Sequence, residues 1–133
     1  MNAIISRRSQ FLLVLLLGGG LLTSPVTQAA TMVFTNSEAI ALPSTGPALL
    51  YPSTNIVSGF PETVGKVTVT LRSVNHTWPD DLEILLVGPG GQKVILMSDA
   101  GDGDDLVNAN LTFDDAATPS IPDEARISGT TYK

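Results

Sequence analysis

The sequence predicts an all-β protein, because three of its features favour strands over helices. The 133 residues include 12 Gly and 9 Pro, and few stretches show the spacing of an amphipathic helix. Apolar and polar residues alternate through 67–72, as in a strand with one buried face. Two apolar runs flank the turn sequence Gly-Pro-Gly-Gly at 88–91. We therefore expect one domain of antiparallel strands.

The first 29 residues have the composition of an export signal. Arg7 and Arg8 precede an apolar run at 11–22, and small residues before Ala29 suit cleavage after it. About a dozen apolar residues are too few for the roughly 20 that span a bilayer. We expect a secreted protein, extracellular or periplasmic, with no membrane span after cleavage. The twin-arginine route is an alternative to the general one, but Gln10 stands where that signal prefers an apolar residue.

The charge of the mature chain excludes two classes of partner. Residues 30–133 keep five of the seven basic residues and all 13 acidic ones, for a net charge of −8. Such a surface repels nucleic acid and anionic membranes and attracts cations. The chain has no Cys, which excludes a disulfide framework and a thiolate metal site.

The segment 30–63 is rich in Pro, Ser and Thr. Pro43, Pro47, Pro52 and Pro61 prevent a helix and leave room only for short strands, with candidates at 32–35 and 55–57. Many of the other residues are apolar, so we expect this segment to wrap the sandwich whose core is formed by residues 64–133.

The apolar runs at 82–87 and 93–97 predict a hairpin. One face would carry Leu82, Ile84, Leu86, Ile95 and Met97, and the other face is apolar as well. A hairpin with two apolar faces is expected to lie centrally and to be covered on both sides by another sheet, a long loop or a partner. A further strand is expected at 109–113.

Carboxylates cluster around these strands and suggest a calcium site. Hard oxygen ligands in loops are what Ca²⁺ takes in its six- to eight-fold shell. The alternative is a set of solvated acidic loops that aid solubility. The spacing from Asp99 onward does not match an EF-hand, and the repeat that binds Ca²⁺ in β-helices occurs only once. The candidate ligands are Asp80, Asp81, Asp99, Asp102, Asp104, Asp105, Asp114 and Asp115.

A catalytic function is not expected. His76 is the only His, no nucleophile motif accompanies it, and we expect it to be a hydrogen-bonded loop residue. Paired carboxylates could serve a glycosidase, but the aromatic pocket that raises the pKa of one of them is missing, since Trp78 is the only Trp.

Several motifs together resemble the P domain (P/homo B domain) of subtilisin-like proprotein convertases. They are the strand and loop at 67–77, Asp81-Leu82 with the apolar strand after it, Gly-Pro-Gly-Gly at 88–91, the strand at 94–96, Leu-Thr-Phe-Asp-Asp-Ala at 111–116 and Ile-Ser-Gly-Thr-Thr-Tyr at 127–132. The resemblance extends from about residue 36 to Lys133.

This resemblance implies an eight-stranded jelly-roll β-sandwich that follows a protease domain and supports its folding, stability or substrate choice, with Ca²⁺ in some members. We expect the sandwich to be incomplete at its C-terminal end, and so to self-associate or bind a protease domain or another exported protein. The alternative is a stand-alone calcium-dependent surface, adhesion or glycan-binding β-sandwich. The scarcity of aromatic residues favours the first interpretation.

Overall fold

The computed structural model describes residues 2–6, 30–43, 45–59 and 63–133. Within these ranges seven strands form two sheets, and the single helical element is a 3-10 turn at Pro79–Asp81. The all-β prediction is confirmed. No helix in the described ranges is long and apolar enough to cross a membrane.

The strands divide into a five-stranded and a two-stranded sheet. In chain order they are β1 (Asn2–Ser6), β2 (Thr31–Thr35), β3 (Lys66–His76), β4 (Ile84–Val87), β5 (Lys93–Met97), β6 (Leu106–Phe113) and β7 (Thr131–Tyr132). The larger sheet has the order β2-β1-β3-β6-β7, and β4 pairs with β5. All pairs are antiparallel except β6 with β7. The eight-stranded jelly roll therefore stays a proposal.

Most of the predicted strands are present. The candidates at 32–35, 67–72 and 109–113 correspond to β2, β3 and β6, and the second hairpin strand is Lys93–Met97 as expected. The candidate at 55–57 is wrong, because no strand forms there. Instead, the Asn55 side chain donates to the backbone oxygen of Phe34 at 3.1 Å. The first hairpin strand begins at Ile84, since Leu82 closes the 3-10 turn through its N–H to Pro79 O.

The hairpin differs from its prediction in both register and burial. Leu85 pairs with Ile95, whereas Ile84 pairs with Met97, so β5 has one extra residue and a bulge at this point. The bulge places Ile95 on the face of Leu85, not on the face of Ile84. That face is exposed, so no other sheet or loop of the described chain covers the hairpin on this side, and cover by a partner stays a prediction.

The core lies between the hairpin and the larger sheet. Met97, Leu111, Val69 and Pro79 are fully buried. The cluster around them consists of Leu82, Met97, Ala100, Leu106, Leu111, Phe113, Ile127 and Tyr132. Two of these residues, Ile127 and Tyr132, come from the segment after β6, which is therefore an integral part of the core.

The structure agrees only in part with the predictions for the N-terminal regions. Leu42 and Pro43 line a shallow groove with His76 and Leu106, whereas Leu49 and other apolar side chains of the same segment are largely exposed. The described part of the segment therefore contacts residues 64–133 only locally. Of the expected export signal, residue 1 and residues 7–29 lie outside the described ranges, and Asn2–Ser6 form β1.

Candidate functional site

Five carboxylates gather at one end of the hairpin, which we call the acidic end. Asp80 and Asp81 lie in the 3-10 turn before β4, and Asp99 and Asp102 lie in the loop between β5 and β6. Asp123 joins them from the segment before β7. The antiparallel hairpin explains this gathering, because the chain enters β4 and leaves β5 at the same end.

Gly101 fixes the loop between β5 and β6 to the C-terminal segment. Its N–H lies 2.9 Å from Pro122 O and 3.0 Å from Asp123 O. Its φ is +95°, and an added Cβ would lie 2.7 Å from Ile127 Cδ1 and 3.1 Å from Pro79 Cβ. Both the backbone conformation and the lack of space therefore require glycine. This contact is what brings Asp123 to the acidic end.

The carboxylates of the acidic end act on one another electrostatically. Partial loss of hydration raises the pKa of Asp80, and the negative charges of Asp99, Asp123, Asp81 and Asp102 raise this pKa further. Each of these charges makes ionisation of Asp80 less favourable. A cation near Asp80 would relieve that repulsion.

The predicted metal ligands do not form a single coordination group. Among the described residues, no three acidic or His side chains lie close enough together to hold a metal ion. Asp104 and Asp105 are exposed on the loop that leads into β6. Asp114 and Asp115 follow β6 and therefore lie at its other end, so they do not join the acidic end.

Asp114 is instead the acceptor of a local hydrogen-bond network. Its Oδ1 lies 2.6 Å from Lys66 Nζ and 2.7 Å from the Ala116 N–H, and its Oδ2 accepts from Lys66 at 2.8 Å. Thr68 Oγ1 lies 3.4 Å away. The hydrogen bond from Lys66, followed by that from Ala116, lowers the pKa of Asp114. This carboxylate has its cation within the chain.

His76 and Trp78 border the acidic end. His76 is the last residue of β3, and its Nδ1 lies 2.7 Å from Trp78 O and 3.2 Å from Trp78 N. The expected hydrogen bonding of His76 is thus observed. The Trp78 ring, 51% exposed, packs so closely on Gly103 that a Cβ there would lie 2.7 Å from the ring.

The outer face of the hairpin is a second candidate site, which we call the hairpin face. It consists of Leu85, Val87 and Ile95, which are 47%, 53% and 67% exposed. No described strand pairs with the outer edge of β4 or β5. Beside β5, a cleft of about 360 Å³ opens between the sheets over Val69 and Phe113. Apolar residues this exposed on a small sheet are typical of a surface that another polypeptide covers.

The sequence did not indicate two of these features. Asp123 belongs to no motif, and only the hydrogen bonds of Gly101 to its segment place it beside Asp99. The hairpin face was expected to be covered. Its apolar residues were visible in the sequence, but a run of apolar residues does not show whether a second layer covers them.

Comparisons with models of protein families, with curated proteins and with solved structures found no match to this chain. The resemblance to P domains therefore rests on the sequence motifs alone.

Proposed function

We propose that this chain is an exported, non-catalytic accessory module of the P-domain type. It acts beside a subtilisin-like serine protease and supports the folding, stability or substrate choice of that enzyme. The observation that carries the proposal is the hairpin face, where three apolar side chains are exposed together on one side of a two-stranded sheet. Covering it on a partner removes apolar area from water, which is the main favourable term in protein association.

The test is binding to the exported subtilisin-like proteases of the same organism. The exported protein is titrated with each catalytic domain by calorimetry, together with the variants Leu85→Lys and Ile95→Lys. Both side chains point into solvent, so the variants should fold normally, while a charge on the hairpin face should weaken binding by about tenfold or more. Val107→Lys is the matched control, because Val107 is 75% exposed and lies outside this face.

Two outcomes would contradict this proposal. One is that none of these proteases binds. The other is that the Leu85, Ile95 and Val107 variants all bind like the unaltered protein. Light scattering on the same samples measures self-association, which the two hairpin variants should reduce if the face pairs with a second copy.

The proposal also implies that the chain hydrolyses no peptide by itself. The exported protein is incubated with peptide substrates and with a serine-directed inhibitor as control. Turnover that disappears in His76→Ala would show a catalytic site in this chain. Turnover that survives both the inhibitor and His76→Ala would contradict the proposal too, once a contaminating protease is excluded.

We further propose that the acidic end binds Ca²⁺. The supporting observation is the gathering of five carboxylates at this end, where loss of hydration and then the neighbouring negative charges raise the pKa of Asp80. Ca²⁺ accepts irregular sets of oxygen ligands, whereas Mg²⁺ requires a tight octahedron. Binding would need the turn at Pro79–Asp81 and the loop after β5 to move their carboxylates closer together.

Scanning calorimetry of the exported protein in millimolar Ca²⁺, in Mg²⁺ and in chelator tests this proposal. At a free Ca²⁺ concentration about 100 times the dissociation constant, the free energy of unfolding should rise by roughly 2.7 kcal/mol. Mg²⁺ should have a smaller effect. Asp81→Asn and Asp102→Asn should reduce the calcium effect, and Asp115→Asn, at the other end of β6, should leave it unchanged. Equal unfolding temperatures in Ca²⁺ and chelator would refute the site.

A stand-alone calcium-dependent glycan-binding or adhesion protein is the second candidate. The observation that favours it is the exposed ring of Trp78 next to the acidic end, since sugars stack on exposed aromatic rings. Trp78→Ala should then abolish binding to a glycan array in Ca²⁺ and leave protease binding intact. If glycan binding persists in Trp78→Ala, the Trp78 ring does not hold the sugar, and the structural argument for this second candidate fails.

A further inference from the structure

Strand β1 occupies an internal position of the larger sheet, although its residues belong to the segment that is expected to be removed on export. Asn2–Ser6 pair with β2 on one side and with β3 on the other. Both pairings are antiparallel and extend over all five residues. The position between β2 and β3 is thus a complete strand site, with a partner on each side.

The position of β2 in the sheet depends on β1. β2 pairs with no strand other than β1 in the described part of the chain. Neighbouring strands lie about 4.8 Å apart, so β2 lies about two such spacings from β3. Because both are antiparallel to β1, they are parallel to each other, and direct pairing would require β2 to move by a full strand spacing.

We propose that removal of the export signal turns the edge of β3 at 66–70 into an acceptor for an extended segment of a partner protein. This inference rests on the export and cleavage proposed above. Once Asn2–Ser6 are gone, the N–H and C=O groups that β3 directed at β1 have no partner, and an open edge of this kind pairs readily with another strand.

The register defines the chemistry of the segment that fits. It runs antiparallel to β3, and its positions take the places of Ala3 opposite Val69 and Ile5 opposite Val67. Paired residues share one face of a sheet, and Val69 is buried in the core. The partner segment therefore carries small or aliphatic residues at two alternate positions, and it contains no Pro, which would remove a ladder hydrogen bond.

The experiment uses the exported protein and a synthetic peptide with the sequence of residues 2–6 between Gly-Ser flanks. Mass spectrometry first establishes the mature N-terminus. Hydrogen exchange of the amides at 66–70 is then measured with and without the peptide. The matched control peptide carries Ala3→Asp and Ile5→Asp, which leave its backbone unchanged but place charges opposite Val69 and Val67.

The expected result has three parts. The mature protein begins after Ala29, its amides at 66–70 exchange rapidly, and the peptide slows this exchange by about tenfold or more, as pairing into a sheet does. The control peptide has no such effect.

Each other outcome overturns the inference in a distinguishable way. A mature chain that keeps Asn2–Ser6 refutes the export proposal and, with it, the acceptor edge. A cleaved chain whose amides at 66–70 are protected without peptide shows that β2 or another part of the chain closes the gap, and the export proposal survives. Equal protection by both peptides refutes the predicted register.

Discussion

The two ends of β6 place aspartates in opposite electrostatic environments. At the end that follows Phe113, Asp114 accepts hydrogen bonds from Lys66 and Ala116, and its pKa is lowered. At the end that precedes Leu106, the nearest charges around Asp80 are other carboxylates, and its pKa is raised. The same residue type therefore stabilises the fold at one end and is under repulsion at the other.

The difference follows from what holds each end in place. Lys66 begins β3 and Asp114 follows β6, so the register of these two strands brings the ion pair together. The acidic end is made of loops, and their backbone is held by the contact of Gly101 with the C-terminal segment. A loop fixed in this way can keep like charges close together, and this is the end at which we propose that an external cation binds.

Gly101→Ala should reduce the stability of the protein more than the other variants, because it disrupts the contact that holds the acidic end. The added Cβ meets Ile127 and Pro79, and the positive φ is strained for alanine. We expect the free energy of unfolding to fall by about 3 kcal/mol, as measured by urea denaturation.

Gly46→Ala is the control for Gly101→Ala. Gly46 has a similar φ of +83°, but its added Cβ would have nothing within 4 Å. The loss should be about 1 kcal/mol, which reflects the backbone term alone. Equal losses in the two variants would show that the packing of Gly101 against Ile127 does not hold the loop.

Asp114→Ala should have the next largest effect, because it removes the acceptor for Lys66 and Ala116. The ion pair is partly solvated, with side-chain exposures of 36% for Lys66 and 21% for Asp114, so its contribution is modest. We expect a loss of about 1–2 kcal/mol in urea denaturation at neutral pH. Asp115→Ala, at an exposed neighbouring position, should change stability little, and a comparable loss there would contradict the assigned network.

The fold could be predicted from the sequence where alternation and turn chemistry are strong. The strands at Lys93–Met97 and in β3 follow directly from their apolar patterns and from the Gly-Pro-Gly-Gly turn. The bulge in β5 could not be predicted, because one extra residue changes the face of Ile95 without altering the local pattern. The strand β1 could not be predicted either. Its residues lie in the predicted export signal, which is recognised by composition, and composition does not show which segments pair as strands.

The candidate site could be predicted only where neighbours in sequence are also neighbours in space. The proximity of Asp80 and Asp99 could be predicted from the hairpin, because the start of β4 and the end of β5 lie side by side. The separation of Asp114 from this group needed the direction of β6, and the arrival of Asp123 needed a tertiary hydrogen bond. Charge counts alone treat all of these residues as one cluster.

Asp80→Asn should have the smallest effect, and its sign should be opposite to that of Asp114→Ala. The pKa of Asp80 is raised in the folded state, so its ionisation destabilises the protein once the pH rises through that pKa. The variant should therefore unfold at a higher temperature at pH 7 without Ca²⁺. The gain should vanish below the unfolded-state pKa of about 3.8, where the carboxyl is protonated in both states.

Asp114 should show the reverse pH dependence, which sharpens the contrast. Its pKa is lowered in the folded state, so its contribution is present above about pH 3.8 and is lost as the pH falls through the folded-state pKa. Thermal unfolding from pH 2.5 to 7 of Asp80→Asn and Asp114→Asn measures both profiles. Glu38→Gln controls for the change in net charge, and parallel curves for all three variants would contradict the assignment.

The contribution of Ile127 and Tyr132 to the core has a consequence for how fast the chain folds. In the core these residues pack with Leu111 and Phe113 of β6, and the paired residues of β3 and β6 lie far apart in sequence. Few contacts can form before those long loops close, and domains dominated by such pairings fold slowly, in milliseconds to seconds. A chain that stays unfolded for this long after synthesis can still pass through a translocase, which the export that we propose would require.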